Sequence, residues 1–200
     1  DFAHDQGVVH RDLKPSNVLM EEIDSDGLQH GYRAVVGDFG IAKLTAASTV
    51  RGLKRQGYRV AALKITGTGS GGDLWIVRDA GADFVADFTD AGFGSTYLTP
   101  LDEVVAGTYR LMNEAAAQGC DLAVIEIADG LEQLETRSLI RHERLLSPMM
   151  GTLFSAFDSM GAVYGVNILR QAGHHLFGLG GRIGMTPLGV REAEVASGLR

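Results

Sequence analysis

Residues 37–43, Gly-Asp-Phe-Gly-Ile-Ala-Lys, set two glycines and a lysine at a spacing that can hold phosphate. A phosphate loop follows the first strand of an α/β unit and aims backbone N–H groups, a lysine and a hydroxyl at phosphate and magnesium. Here Tyr32 to Val36 supply the strand, Gly37 to Lys43 the loop, and the following residues a helix whose Leu44, Ala47, Val50 and Leu53 share one face. Against the pattern G-x-x-x-x-G-K-[ST], Gly37 and Lys43 match. Ala42 stands where the second glycine belongs, Leu44 where the magnesium hydroxyl belongs, and Thr45 comes one place late. Gly37, Gly40, Lys43 and Thr45 are therefore the candidate nucleotide contacts of this stretch, and the altered positions predict impaired binding.

Other stretches carry less. TGTGSGGD at 66–73 reads either as an anion-binding turn, because successive glycines expose N–H groups, or as a surface loop. DFTDAGFGSTY at 87–97 gathers Asp87, Asp90, Ser95 and Thr96 after a predicted strand, for substrate contact or for turn chemistry. His174 and His175 open an apolar run without carboxylates at ligand spacing and read as a loop or edge pair. Met149, Met150, Phe154 and Phe157 read as core or interface. The single cysteine, Cys120, reads as a buried inert thiol, and no disulfide or thiolate zinc site can be assembled within one chain.

Upstream, GVVHRDLKPSNVLM at 7–20 and GDFGIAKL at 37–44 resemble the catalytic loop and magnesium triplet of Ser/Thr protein kinases. Phosphoryl transfer in that family needs a carboxylate to orient the attacking hydroxyl, a cation on the moving phosphoryl group and oxygen ligands for magnesium. The resemblance implies Asp12 as the base, Lys14 as the phosphate-side cation, Asn17 and Asp38 as metal ligands, and Arg11 as acceptor of an activation-loop phosphate. It covers about the first 44 residues. The glycine-rich lid, the strand lysine with its glutamate partner, and the Ala-Pro-Glu that closes an activation segment do not occur in these 200 residues. A kinase-derived segment without kinase function is the expectation.

From Tyr32 to Arg200 a second resemblance holds. KLTAASTVRGLKRQGYRVAALKITGTG, RDAGADFVADFTDAGFGSTY and CDLAVIEIADGLEQLET look like the P-loop domain of proteins related to dethiobiotin synthetase, in a poorly characterised branch of that family. Carried over by position, Lys43 would hold the nucleotide phosphates, Lys64 would meet a carboxylate or phosphate, Glu126 would ligate magnesium, and Asp129 would stand behind it. ATP and Mg2+ are the cofactors implied, with a small carboxylate as substrate.

These residues need a scaffold, and the pattern supplies one. YRAVVG, RVAALKI, DLAVIEIA and HLFGLGG read as strands buried on both faces, since apolar residues run almost unbroken over strand lengths. Helices are predicted at 43–56, 131–145, 159–172 and 188–198, and another begins at Thr99-Pro100-Leu101-Asp102 with a hydroxyl cap and ends at Gly119. Strand and helix in alternation predict a doubly wound, mainly parallel α/β sheet in three layers. Residues 1–31 are expected to form a kinase-like hairpin appendage, with EEIDSDGLQHG as an acidic loop, and residues 32–200 the P-loop-like domain. With 45% hydrophobic residues in 200, the chain can bury one sizeable core. A net charge of -7 without a basic run argues against nucleic acid. No apolar stretch reaches membrane-spanning length and the opening DFAHDQG lacks signal-peptide character, so a cytoplasmic protein is expected, with homo-oligomerisation open. Three functions stand: an ATP- and magnesium-binding domain of ligase type, a Ser/Thr kinase-type phosphotransferase, and an inactive fusion or chimera.

Overall fold

In the computed structural model of the chain, residues 18–23, 31–36, 41–67, 72–128 and 130–199 are described. The chain divides into two compact units, residues 1–40 and 41–200. In the first, β1 (Val18–Ile23) and β2 (Gly31–Val36) form an antiparallel ladder that runs from Val18 opposite Val36 to Ile23 opposite Gly31. Residues 32–36 are thus a strand, as expected, but their partner is β1 and not a parallel strand. The register sets Val18, Leu19 and Met20 against Val36, Val35 and Ala34, apolar opposite apolar, which the sequence allows as readily as a place in a parallel sheet.

The second unit alternates helix and strand. Its elements are α1 (Ile41–Arg55), β3 (Val60–Lys64), α2 (Gly72–Asp79), β4 (Phe84–Asp87), α3 (Leu101–Ala117), β5 (Leu122–Glu126), α4 (Leu134–Leu139), α5 (Glu143–Leu146), β6 (Thr152–Ser155), α6 (Ser159–Gln171), β7 (Leu176–Gly180) and α7 (Pro187–Ser197). Three strands pair in the order β4-β3-β5, all parallel, and β6 pairs with β7, also parallel. β3 is the centre of the larger sheet, and alternation along it splits the core in two. Val60 and Ala62 pack with Ala46, Ala47 and Val50 of α1 and Val77 of α2. Ala61, Leu63 and Ile65 pack with Val104, Val105 and Leu111 of α3 and with Leu139 and Leu145. Helices on both faces explain the unbroken apolar run: a central parallel strand has no wet side.

Local sequence sets the ends of these elements. Asp158 caps α6 by accepting the Gly161 N–H at 2.7 Å, Thr186 caps α7 by accepting from Gly189, and Pro187 takes the first helical position. Gly198 ends α7 in the left-handed conformation, at φ 68°. Three expectations need correction. Thr99 does not cap α3, because its hydroxyl donates to the Ser95 carbonyl and Pro100 takes the cap position without a side-chain bond. The helix predicted over 131–145 is two short pieces, α4 and α5, broken around Ile140–His142. β6 joins the fold as a strand that its four residues, two of them hydroxylated, did not announce.

His174 lies in the loop before β7, one of the two places expected for it, but not at an exposed surface. It is buried, with Nε2 donating to the Ile140 carbonyl at 2.7 Å and Nδ1 accepting from the Thr152 hydroxyl at 2.8 Å. Both ring nitrogens are used by the neutral imidazole, and burial holds its pKa below 6.5 although the bond to Ile140 opposes the shift. The unfolded chain therefore binds a proton here that the folded one refuses. The stabilisation is complete above the unfolded value, about 6.5, and is lost as pH falls through the lower folded value. We expect the difference in unfolding free energy between wild type and His174→Gln to be larger at pH 7.5 than at pH 5.5 in urea titrations; an equal difference at both would mean that the ring does not titrate on unfolding.

Candidate functional site

Strand register determines which side chains meet. Lys64 ends β3 and is paired in register with Asp87 at the end of β4 and with Glu126 at the end of β5. Residues in register share a face, and on this face the preceding residues Ala62, Val85 and Val124 all pack in the cluster built with α1 and α2. A carboxylate, an ammonium and a second carboxylate thus lie side by side at the C-terminal edge of the sheet, beneath α1. Ligands of open α/β sheets bind at this edge. A small pocket is lined there by Ala46, Ala62, Lys64, Leu74, Val124 and Glu126, among others.

Helix α1 brings Ala46, just past its first turn, to the same pocket. Lys43 lies in that turn, which contains no acidic residue, while the basic Lys54 and Arg55 end the helix. A cation at a helix N-terminus opposes the backbone dipole and is favoured only where an anion answers both. Thr45 accepts a hydrogen bond from Ser155 Oγ at 2.8 Å, which ties α1 to the end of β6. A β-carbon at Gly180 would lie 3.0 Å from Thr45 Oγ1, so a larger residue there would push the threonine away. Leu44, at the hydroxyl position of the motif, is 54% exposed.

The loops that leave the strands are joined to one another. The Thr66 hydroxyl accepts the Ala128 N–H at 2.7 Å and lies 3.2 Å from the Ala128 carbonyl, joining the exits of β3 and β5. Gly67 N–H donates to Thr96 Oγ1 and the Thr96 N–H returns to the Gly67 carbonyl, both at 2.9 Å, joining the exits of β3 and β4. The Thr136 hydroxyl reaches the Ala128 carbonyl at 3.2 Å and brings in α4. Asp87 is 4% exposed, and its Oδ1 accepts from both the N–H and the hydroxyl of Thr89, at 2.7 and 2.5 Å. Asp90 Oδ2 accepts the Asp87 N–H at 2.9 Å. Thr96 and Asp90 are turn residues here, one of the two uses open to them.

Of the residues singled out from the sequence, Lys64 and Glu126 belong to this edge, while Lys43 and Thr45 lie near the start of α1, whose Ala46 lines the same pocket and whose Thr45 meets the end of β6. Asp12, Lys14, Asn17, Gly37, Asp38 and Gly40 lie outside the described residues, as do Arg11, Asp129 and half of the glycine-rich 66–73 stretch. Ser155 and Thr66 were not foreseen, since a lone hydroxyl carries no periodic signal. Among the described residues no group of three or more His, Cys, Asp and Glu is placed to hold a metal ion, and no helix is long and apolar enough to cross a membrane. Cys120 is partly buried and burial raises its thiol pKa, which suits an unreactive side chain.

No protein-family model matches the chain. Among curated proteins it is similar to a CBL-interacting protein kinase 20 of rice, 47% identical over 53 residues that make up 26% of this chain and 11% of the kinase. It is also similar to human ribosomal protein S6 kinase alpha-2, 44% identical over 127 residues, 56% of this chain and 15% of that one, and to a Xenopus laevis ribosomal protein S6 kinase 2 alpha, 31% identical over 70% of this chain and 20% of that one. The chain spans at most about a fifth of the length of these relatives. Among solved structures, the signal recognition particle 54 kDa protein of Aeropyrum pernix, crystallised with GDP, superposes with a TM-score of 0.53 and 16% identity over 80% of this chain and 37% of that one. That likeness shows the fold alone, a mixed α/β domain with parallel strands, and parts of the sequence are similar to kinases.

Thr66 offers a test of the edge. Thr66→Val keeps the shape of the side chain and removes its bonds to Ala128, one of whose partners is then left without an acceptor; we expect a loss of about 1–3 kcal/mol in unfolding free energy. Chemical denaturation measures it, and an unchanged midpoint would show that the exits of β3 and β5 are held together by packing alone.

Proposed function

We propose that residues 32–200 form a magnesium- and ATP-binding domain of the dethiobiotin synthetase-like class, weakened by an altered phosphate loop. The observation that supports this reading is a pocket at the C-terminal edge of a parallel sheet whose lining includes Lys64, Glu126 and Ala46 of α1, the helix whose first turn carries Lys43. Lys43 and the first-turn N–H groups hold phosphate oxygens, which satisfies the dipole and the charge together. Lys64 receives the anionic end of a small carboxylate or the phosphoryl group in transit. Glu126, a carboxylate at a strand end, is the protein ligand for magnesium, which would neutralise charge on the phosphates when bound. The transferred group thus moves between two lysines, and orientation supplies much of the rate.

Isothermal titration with ATP, with and without magnesium, tests this reading. Glu126→Gln is expected to abolish the magnesium dependence while leaving the melting curve nearly unchanged. Ala42→Gly with Leu44→Thr restores the room and the hydroxyl that the motif lacks and is expected to tighten binding by about 1–3 kcal/mol. No binding in either background, by a folded protein, would remove the proposal.

The similarity to kinases supports a second reading, a Ser/Thr phosphotransferase using Asp12, Lys14, Asn17 and Asp38. We expect the 200-residue chain to transfer no phosphate to peptides, because the lid and strand lysine that fix the triphosphate are missing from its sequence. Peptide phosphorylation that disappears in Asp12→Asn would reverse the order of the two readings.

A further inference from the structure

The apolar strand β5 is open to solvent where its neighbour is not. In β3 Val60 to Leu63 are all buried, whereas in the equally apolar β5 Ala123 is exposed and the other four residues are half-buried. Strands of a parallel sheet are ordinarily covered on both faces. Among the described strands β5 pairs with β3 alone and β6 with β7 alone, while β2, which precedes α1 in the chain, is paired with β1. One edge of β5 and one of β6 thus carry main-chain donors and acceptors outside any ladder of the described residues.

One helix spans the two edges. α1 packs on β3, β5 and β6, so β6 is the nearer strand of its pair. Ala46 of α1 stands at the pocket beside Lys64 and Glu126, which end β3 and β5. The preceding residue, Thr45, meets Ser155 and Gly180, which end β6 and β7. The C-terminal ends of both sheets therefore meet at the start of α1, and both sheets run the same way. Neighbouring strands lie about 4.7–4.9 Å apart and hydrogen-bond, which β5 and β6 do not. A helix about 10–12 Å across cannot pack on both if they stand much further apart than two such spacings. The space between them is one strand wide.

The lining states what fits. Val124 belongs to the core cluster built with α1 and Ile125 to the cluster built with α3, so a strand laid beside β5 extends both clusters and must be apolar on both faces. Leu153, two residues before Ser155 and on the same face of β6, is 42% exposed and awaits such cover. No charged residue occurs in β5 before Glu126 or anywhere in β6, and a charge on the guest would be buried without a partner. Only an extended backbone offers N–H and C=O groups to two strand edges at once. We propose that the slot between β5 and β6 is a strand-addition site: it takes an extended, uncharged, apolar segment of another polypeptide, matched to the five residues of β5, parallel to it and bonded through its main chain to both edges. The assignment does not depend on nucleotide binding.

The probe is the peptide KKVAVVV, capped at both ends, with its lysines left outside the slot for solubility. KKVAPVV is the control, because proline removes a donor and is not tolerated in a central strand. Residue-resolved hydrogen exchange on the full chain reads both edges. The amides of 122–126 and 152–155 that exchange readily in the free chain are expected to slow at least tenfold with KKVAVVV and to stay unchanged with KKVAPVV. Leu153→Lys sets a charge against the guest at an already exposed position and is expected to weaken binding of labelled KKVAVVV at least tenfold in anisotropy titrations. Slowing at one edge alone, equal slowing by the proline peptide, no binding, or undiminished binding by folded Leu153→Lys overturns the proposal. Slow exchange at both edges in the free chain also overturns it, since a segment of the chain itself would then fill the slot. If Leu153→Lys does not fold, the exchange comparison decides alone.

Discussion

The parallel register of β3 with its two neighbours is the constraint on which the rest depends. A parallel sheet sends every strand in one direction, so its C-terminal ends, and the loops that leave them, collect along one edge. Because Val60, Ala62 and Lys64 alternate with Ala61, Leu63 and Ile65, both faces of β3 are committed to helices before its last residue is reached. Lys64 then has one direction left, towards the edge beneath α1. A slip of one residue in either ladder would move Asp87 or Glu126 to the opposite face and dissolve the row.

The edge is held by backbone-directed hydroxyls. Thr66 and Thr96 each bond a main-chain group of a loop distant in sequence, Thr136 bonds the nearby Ala128 carbonyl, and Ser155 bonds Thr45 across from β6. Each such bond contributes about 1 kcal/mol, but together they fix loops that burial alone would leave loose. The charged residues can therefore be few. Elsewhere charge serves the scaffold: Asp83 accepts from Lys54 at 2.7 Å and from the Val60 N–H, and these bonds hold its carboxyl below the usual range. The pair is solvent-accessible and its worth is small.

Much of this fold is legible in the sequence because its signals are local. Apolar runs at 60–63 and 122–125, a proline after Thr186 and glycines at helix ends define elements without reference to their neighbours. The strand-end positions of Lys64 and Glu126 were legible for the same reason, as polar residues that close apolar runs. What stayed hidden was pairwise. Asp87 was visible as one acid among several in DFTDAGFGSTY, but its place beside Lys64 is a property of two strands in register. β6 was hidden because TLFS carries too few β-branched residues for its length and is stabilised by β7. The burial of His174 in its loop was hidden because its partners are distant in sequence; only the fold shows Ile140 and Thr152 closing on the ring.

Residues 35–43 carry two resemblances at once because two chemistries share one local requirement. A kinase magnesium triplet and a phosphate loop both place a glycine turn after a short strand, and both keep a lysine nearby, since each must bring backbone close to a triphosphate. What separates them lies outside the turn. A kinase turn follows an antiparallel strand and depends on a second lobe; a phosphate loop follows a parallel strand and depends on the helix behind it. Here β2 is antiparallel to β1, as the first requires, while α1 packs on β3 and presents a basic first turn, as the second requires. The helix belongs to the unit with the extensive core, which starts at Ile41. Local sequence can satisfy either requirement at the turn, but burial, which scales with the length of chain committed to a core, favours the helix side.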